Sequence, residues 1–310
     1  MTSQEDQGGG GAPLQDIGNG TPFELNLEAS QSIPILIAAP HGGRSYSEAV
    51  EQSFRDPACK TRLEDRYVDL LAAEVARASG AALLVAKAPR AEIDLNRAPD
   101  DVDWGMISGE GEGRTSHSLA NRRARSGLGL VPRRLPGLGE IWRGPIERTE
   151  LDRRIETIHH PYHSALGRAL ETLRDRWGAV LLVDLHSMPP LNPKAFGGAR
   201  PEFVIGDRFG TSCSGTLSAG ALSYLSLNGR LATHNRPYSG GYVLDRHGMP
   251  KRGLHAIQIE VCRSLYLDRH LDQPSARLGG VGRLLGGLVK MLGSEVANLR
   301  SGGQFAEAAE

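Results

Sequence analysis

The stretch AVLLVDLHSM, residues 179–188, constrains the fold more than any other part of this 310-residue chain. It is apolar on every residue from Ala179 to Val183, so both faces of the strand it forms must be buried. Strands of that kind belong to sheets covered by helices on both sides, and such sheets are mostly parallel. The runs IPILIAA (33–39), AALLVA (81–86), EFVIGD (202–207) and AIQIEV (256–261) read the same way. Helical patterns alternate with them. Residues 61–79 carry Leu63, Tyr67, Leu70, Leu71 and Val75 at helical spacing, with Thr61 and Glu64 placed as a capping box and Gly80 as the stop. Residues 149–177, 215–229 and 275–298 repeat the pattern, and Pro161 should kink or split the first of these. The expectation is one α/β domain, residues 21–300, with a mostly parallel central sheet and helices on both faces. Residues 1–20 read as a flexible tail and 301–310 as a disordered one. Residues 100–148, rich in Gly, Pro and Arg, read as an irregular excursion with a hairpin near GLVPRRLPGLGEIWRG and no assigned role.

Charge removes some functions. Lys+Arg and Asp+Glu both number 36, and a chain built around a nucleic-acid backbone would be more basic. No apolar stretch reaches the ~20 residues of a membrane helix, and the N-terminus lacks the form of a signal peptide. Cys59, Cys213 and Cys262 are scattered, which argues against disulfides or a Cys-type zinc site. The default compartment is a reducing cytoplasm. The oligomeric state is not written in the sequence.

Ligands of open α/β sheets bind at the carboxyl ends of the strands. Polar groups gather at those ends here: His41 after the first run, Arg90, Asp94, Asn96 and Arg97 after the second, Asp184 and His186 in AVLLVDLHSM, and Gln258 and Glu260 in the last strand. A catalytic zinc needs three protein ligands and an open position. His41 and His186 supply two, with Asp184 supporting a ligand or the loop. The third is a carboxylate of the first helix, Glu64 or Asp65. Asp65 is preferred because Glu64 has the capping role. Glu260 is the candidate general base. Arg90 and Arg97 suit substrate carboxylates, although pairing with Glu92 and Asp94 would account for them equally well. Arg263 is the structural alternative as partner of Glu260. His159, His160 and His163 lack an HExxH pattern and read as a packed or solvated face. There is no GxSxG elbow and no GxxxxGK[ST] loop.

The strings PHGGRSY, EDRYVD, DLNR, HHPYH, VDLHSMP, NRPYSGGYV and AIQIEVCRSLY occur in this order between Ile33 and Tyr266. Together they resemble the N-formylglutamate amidohydrolase family. The resemblance implies a phosphorylase/hydrolase-like fold related to zinc carboxypeptidases. It also implies metal-dependent hydrolysis of N-formyl-L-glutamate to formate and glutamate, late in histidine breakdown. By the same resemblance His41 and His186 match metal ligands, Glu260 the catalytic carboxylate, and Asn96 and Arg97 carboxylate binders. Asn235, Gly241 and Tyr242 fall in a loop that would close over substrate. One departure stands out. Related carboxypeptidases carry a ligand glutamate three residues after the first histidine, where this chain has Arg44, so Asp65 is the inferred third ligand. The expected cofactor is one divalent ion, zinc, and the expected partner a small N-acyl amino acid, formyl or otherwise.

Overall fold

The computed structural model describes residues 21–109 and 122–307. Its central sheet has seven strands, β1 (Phe23–Asn26), β2 (Ile35–Ala39), β3 (Ala82–Ala86), β4 (Val180–Met188), β5 (Phe203–Gly206), β6 (Ala232–His234) and β7 (Leu254–Cys262), in the order β1-β3-β2-β4-β7-β5-β6. The middle strands β3, β2, β4 and β7 are mutually parallel. β1 runs antiparallel to β3 and β5 antiparallel to β7, while β6 is parallel to β5. The sheet is therefore mostly parallel, as expected, with antiparallel pairings at β1–β3 and β7–β5. The connection from β4 to β5 explains the reversal. It carries only the short 3-10 turn Pro193–Phe196, and without a crossover helix the chain re-enters the sheet from the end it left.

Six helices matter below: α1 (Cys59–Leu63), α2 (Val68–Ser79), α3 (His160–Trp177), α4 (Gly215–Leu227), α5 (Tyr242–His247) and α6 (Leu278–Glu307). They divide by the alternation of the strands. Ile35, Ile37, Leu181, Val183, Ile257 and Ile259 face α2, α4 and α6. Leu36, Leu84, Val180, Leu182 and Ala256 face α3 and the excursion, which contributes Val102, Met106, Leu130, Val131, Ile141, Trp142 and Ile146 to the same core. The excursion thus covers one side of the sheet, with a small antiparallel hairpin between Arg134–Leu135 and Gly139–Glu140. Burying a Leu or Ile fully is worth about 1.5–3 kcal/mol, so this segment is bound to the sheet although it lacks long regular elements.

The structure decides three local expectations. The pattern over 61–79 is two helices, α1 and α2, separated at Glu64–Tyr67. No capping box forms: the Thr61 hydroxyl donates to the Ala58 carbonyl, and Glu64 accepts from the Tyr46 hydroxyl and Arg66. Tyr67 holds a left-handed φ of 56°, its ring lying 4.4 Å from the Arg44 guanidinium and 4.8 Å from that of Arg66. Contacts distant in sequence override the helical periodicity here. Second, α3 is entered through a helical turn, Arg148–Arg154, and a π-helical segment, Ile155–His159. Pro161 lies in the first turn of α3, so the helical stretch is split just before the proline, as one of the two expected outcomes had it, and the break takes the form of a π-helical segment. Third, the last helix, α6, spans Leu278–Glu307 where the pattern predicts 275–298. The expected tail at 1–20 lies outside the described residues.

The three cysteines are free and buried. Among the described residues no helix is long and apolar enough to cross a membrane.

Candidate metal centre and active site

Strand pleating assembles the site. Residues two apart on a strand share a face, so Asp184 and His186 of β4 point the same way. The β4–β7 register sets Gln258 beside Asp184 and Glu260 beside His186. All four are buried at the carboxyl ends of these strands. The neighbouring strand β2 ends at Ala39, and His41 follows it. Gly43 is required just beyond, since a Cβ there would overlap the Ala88 carbonyl oxygen. The break between α1 and α2 brings in Asp65, whose backbone N–H donates to the His41 carbonyl.

His41, Asp65 and His186 converge. The two Nδ1 atoms lie 3.2 Å apart. Asp65 Oδ2 is 3.1 Å from His186 Nδ1 and 3.6 Å from His41 Nδ1. Each imidazole turns its other nitrogen to a buried carboxylate: His41 Nε2 lies 2.7 Å from Asp94 Oδ1, and His186 Nε2 2.9 Å from Asp184 Oδ2. A carboxylate only accepts, so each ring carries a proton on Nε2 and turns Nδ1 toward the shared point. Donor atoms around a tetrahedral zinc with bonds of about 2.0–2.1 Å lie roughly 3.3 Å from one another. The triangle of donors fits a divalent ion of that size.

Electrostatics agree. Burial opposes charge on His186, yet Asp184 and Asp65 outweigh it and raise its pKa well above the ordinary imidazole value. Burial likewise opposes charge on Asp65, but the facing His186 and His41 rings hold its carboxyl well below the usual range. Asp94 is also kept ionised against its burial, by Arg90, His41 and Arg97. The pocket is built to hold positive charge. Glu260 differs: burial raises its carboxyl to about 7, although His186 pulls the other way. Its hydrogen-bond donor is the Gln258 side chain, at 2.9 Å.

A cavity of about 730 Å³ opens over these groups. His41, Asp65, His186, Glu260, Arg90, Asn96 and Arg97 all line it. Arg90 pairs through Nε with Asp94 Oδ2 at 2.9 Å. Arg97 donates to the carbonyls of Leu128 and Asn96 and stands 3.9 Å from Asp94. The pairing of Arg90 with Asp94 weighed from the sequence therefore exists alongside exposure to the cavity. Glu92 is paired instead with Arg153 and accepts through its carbonyl from Arg154.

Two sequence-predicted residues are elsewhere. Asn235 turns its amide to Asp207, at 2.7 Å, and its oxygen to the Asp207 N–H. Tyr242 packs against the rings of His159 and His163, and its hydroxyl accepts from Arg246. Neither lines the cavity. Glu64 accepts from Tyr46 and Arg66 and is not one of the converging donors. Asp69 makes a two-pronged ion pair with Arg44, which leaves Arg44 in a structural role.

Arg263 has other partners than the one its sequence position suggested. It was weighed as a partner for Glu260, but its guanidinium reaches Ser187 Oγ at 3.1 Å, the Glu64 carbonyl and Asp65 Oδ1 at 3.4 Å. It ties the Asp65 break to the end of β4. Its position two residues beyond the apolar part of β7, at the same sheet edge, was the available signal. Asp94, read only as an arginine partner, holds His41 as well.

Comparison with known proteins gives the family. The family model described as N-formylglutamate amidohydrolase matches residues 33–267. The chain is 33% identical over 244 residues to an N-formylglutamate deformylase of Pseudomonas putida, covering 76% of this chain and 82% of that one. A second N-formylglutamate deformylase, of Pseudomonas aeruginosa, is 28% identical over 240 residues, covering 76% and 83%. The crystal structure of an N-formylglutamate amidohydrolase from Ralstonia eutropha superposes with a TM-score of 0.78 at 30% identity, covering 89% of this chain and 98% of that one. With the family model spanning most of its length, the chain belongs to the N-formylglutamate amidohydrolase family.

Proposed function

We propose that this protein hydrolyses N-formyl-L-glutamate to formate and L-glutamate, with a zinc ion held by His41, Asp65 and His186. The observation that carries the reading is the meeting of those three donors with Glu260 in one arginine-lined cavity. When bound there, the ion polarises the formyl carbonyl and lowers the pKa of water toward about 7. Glu260 takes the proton from the attacking water and delivers it to the departing amide nitrogen. Burial suits it to this, since a carboxyl raised to about 7 both accepts and returns a proton near neutrality. Asp94 and Asp184 fix the two imidazoles, and Arg263 fixes Asp65. Arg90, Asn96 and Arg97 hold the substrate carboxylates. A substrate with two carboxylates needs more than one cationic contact, which matches the two arginines beside the metal-binding group.

The size of the cavity favours one second reading, in which the same machinery takes an N-acyl amino acid with a bulkier acyl group. The test is acid release from a panel of N-formyl and N-acyl amino acids, with metal content measured on the same preparation. Fastest turnover of N-formylglutamate by a zinc-loaded protein supports the first reading. Preference for another acyl group supports the second, and no hydrolysis with any divalent metal ends both.

A further inference from the structure

The histidines of HHPYH have no part in the chemistry above, yet two of them are buried completely or nearly so. His159 and His163 lie four residues apart, on one face of the helical segment leading into α3. His159 Nε2 is 2.9 Å from the carbonyl of Arg97. His163 Nε2 is 2.9 Å from the carbonyl of Leu95. A carbonyl can only accept, so both histidines carry their proton on Nε2 and donate it to the backbone on either side of Asn96. His163 Nδ1 is then the acceptor for His247 Nε2 of α5, at 3.0 Å, and those two rings stack with centroids 5.3 Å apart. Burial lowers the pKa of His159 to about 4 and that of His247 to about 3, so the cluster is neutral.

The side chain of Asn96 is held from the same direction. Its oxygen accepts from the Val243 N–H in the first turn of α5, at 3.0 Å. A Cβ on Gly241 would overlap that oxygen. Tyr242 closes the layer against His159 and His163. Two sequence segments distant from one another, HHPYH and the 241–247 stretch that forms α5, therefore meet behind a single two-residue element.

We propose that His159, His163 and His247 are positioning residues: a histidine clamp that fixes the backbone of Asn96 and Arg97 so that their side chains present to a substrate carboxylate. The proposal rests on the carboxylate-binding role given to those two residues above. Carboxylate contacts of this kind are made equally in the ground state and the transition state, so loosening them raises KM and leaves kcat nearly unchanged.

The test is steady-state kinetics on N-formylglutamate, with zinc content and melting temperature, for His163→Leu and His163→Gln. Removing the donor should raise KM about tenfold, the scale of one buried hydrogen bond. Zinc content should stay at the wild-type level and kcat within about twofold. His163→Gln keeps an N–H within reach of the Leu95 carbonyl and should restore KM to within about threefold of wild type. A merely structural role predicts equal KM for the Leu and Gln variants, and that result overturns the clamp. Loss of kcat with KM unchanged also overturns it. If His163→Leu does not fold, His159→Leu and His159→Gln make the same comparison at the Arg97 carbonyl. Asn96→Ala and Arg97→Ala separate the two levels of the argument. Unchanged KM in both overturns the carboxylate reading itself, whereas raised KM there, with indistinguishable histidine variants, overturns the clamp alone.

Discussion

The buried histidines make acid stability a quantitative test of the fold. His159 is fully buried, and burial depresses its pKa from 6.5 to about 4. The unfolded chain therefore binds a proton at this residue before the folded protein does. A group whose folded pKa is depressed contributes stability that is present above the unfolded value and is lost as pH falls toward the folded one. The window is pH 6.5 down to about 4. With one pKa unit worth 1.36 kcal/mol, moving from pH 7 to pH 5 costs about 2 kcal/mol through His159 alone. Carboxylates titrate mostly below this window, and a variant comparison cancels what remains, including the opposite contribution of His186. His159→Gln keeps a donor for the Arg97 carbonyl and removes the titration. Urea unfolding of wild type and variant at pH 7 and pH 5 should show the wild type losing about 2 kcal/mol more than the variant. Parallel losses in the two proteins would refute the reasoning, because they would mean that His159 takes up its proton as readily folded as unfolded.

Glu260→Gln should retain zinc and fold while hydrolysis falls by about a thousandfold or more, as read from formate release and elemental analysis; near-normal turnover would remove Glu260 from the proton transfers. Because Glu260 must be ionised to act as a base, kcat/KM should rise with pH along an acid limb centred at or below about 7, a bound cation only lowering the value set by burial, and a limb well above that pH would contradict the assignment. Asp94→Asn removes the carboxylate that orients His41 and pairs with Arg90, and competition with a chelator should show zinc held about 10–100-fold less tightly. His186→Ala should lose the metal, and unchanged zinc content would count against the donor set. Gly241→Ala forces the Asn96 amide to shift and should lower the stability by about 1–3 kcal/mol, measured by denaturant unfolding.

Much of the site was legible because strand ends are legible. A buried strand such as β4 has no reason to carry Asp184 and His186 unless each finds a partner, and period-two alternation already put them on one face. The same argument marked Glu260 in β7. The third donor was harder. The apolar positions over 61–79 fit one helix, and an acid within a helix reads as a surface group. The chain breaks that helix through Tyr67, whose left-handed backbone is held by Arg44 and Arg66. The second of these arginines also reaches Asp272, 206 residues along the chain. No local pattern encodes such a partner. The strand directions at the sheet edges were likewise hidden, since they depend on whether a connection contains a crossover helix. Asn235 and Tyr242 were placed with the substrate from motif likeness, whereas hydrogen bonding commits one to Asp207 and packing commits the other to the histidine layer.

The charges around the cavity link these observations to the choice of substrate. Arg62, Arg90, Arg97, Arg123 and Arg263 line it, against the acids Asp65, Glu260 and Asp272, with Asp94 and Asp184 buried behind the imidazoles. Counted with both imidazoles neutral, as metal ligands must be, and every carboxyl ionised, the formal charges of these groups balance, as they do over the whole chain. A divalent cation on His41, Asp65 and His186 therefore leaves the site with two positive charges. Beside the buried metal-binding group uncompensated charge is costly, and a ligand carrying two carboxylates removes the imbalance where a neutral or singly charged amide does not. Metal and dianionic substrate should accordingly strengthen each other's binding. L-glutamate with its α-amino group acylated should bind the zinc-loaded protein tightly and the zinc-free protein weakly, and titration of N-acetyl-L-glutamate into both forms would measure that difference. Equal affinity in the two forms would break the link between the metal-binding group and the recognition of the acid.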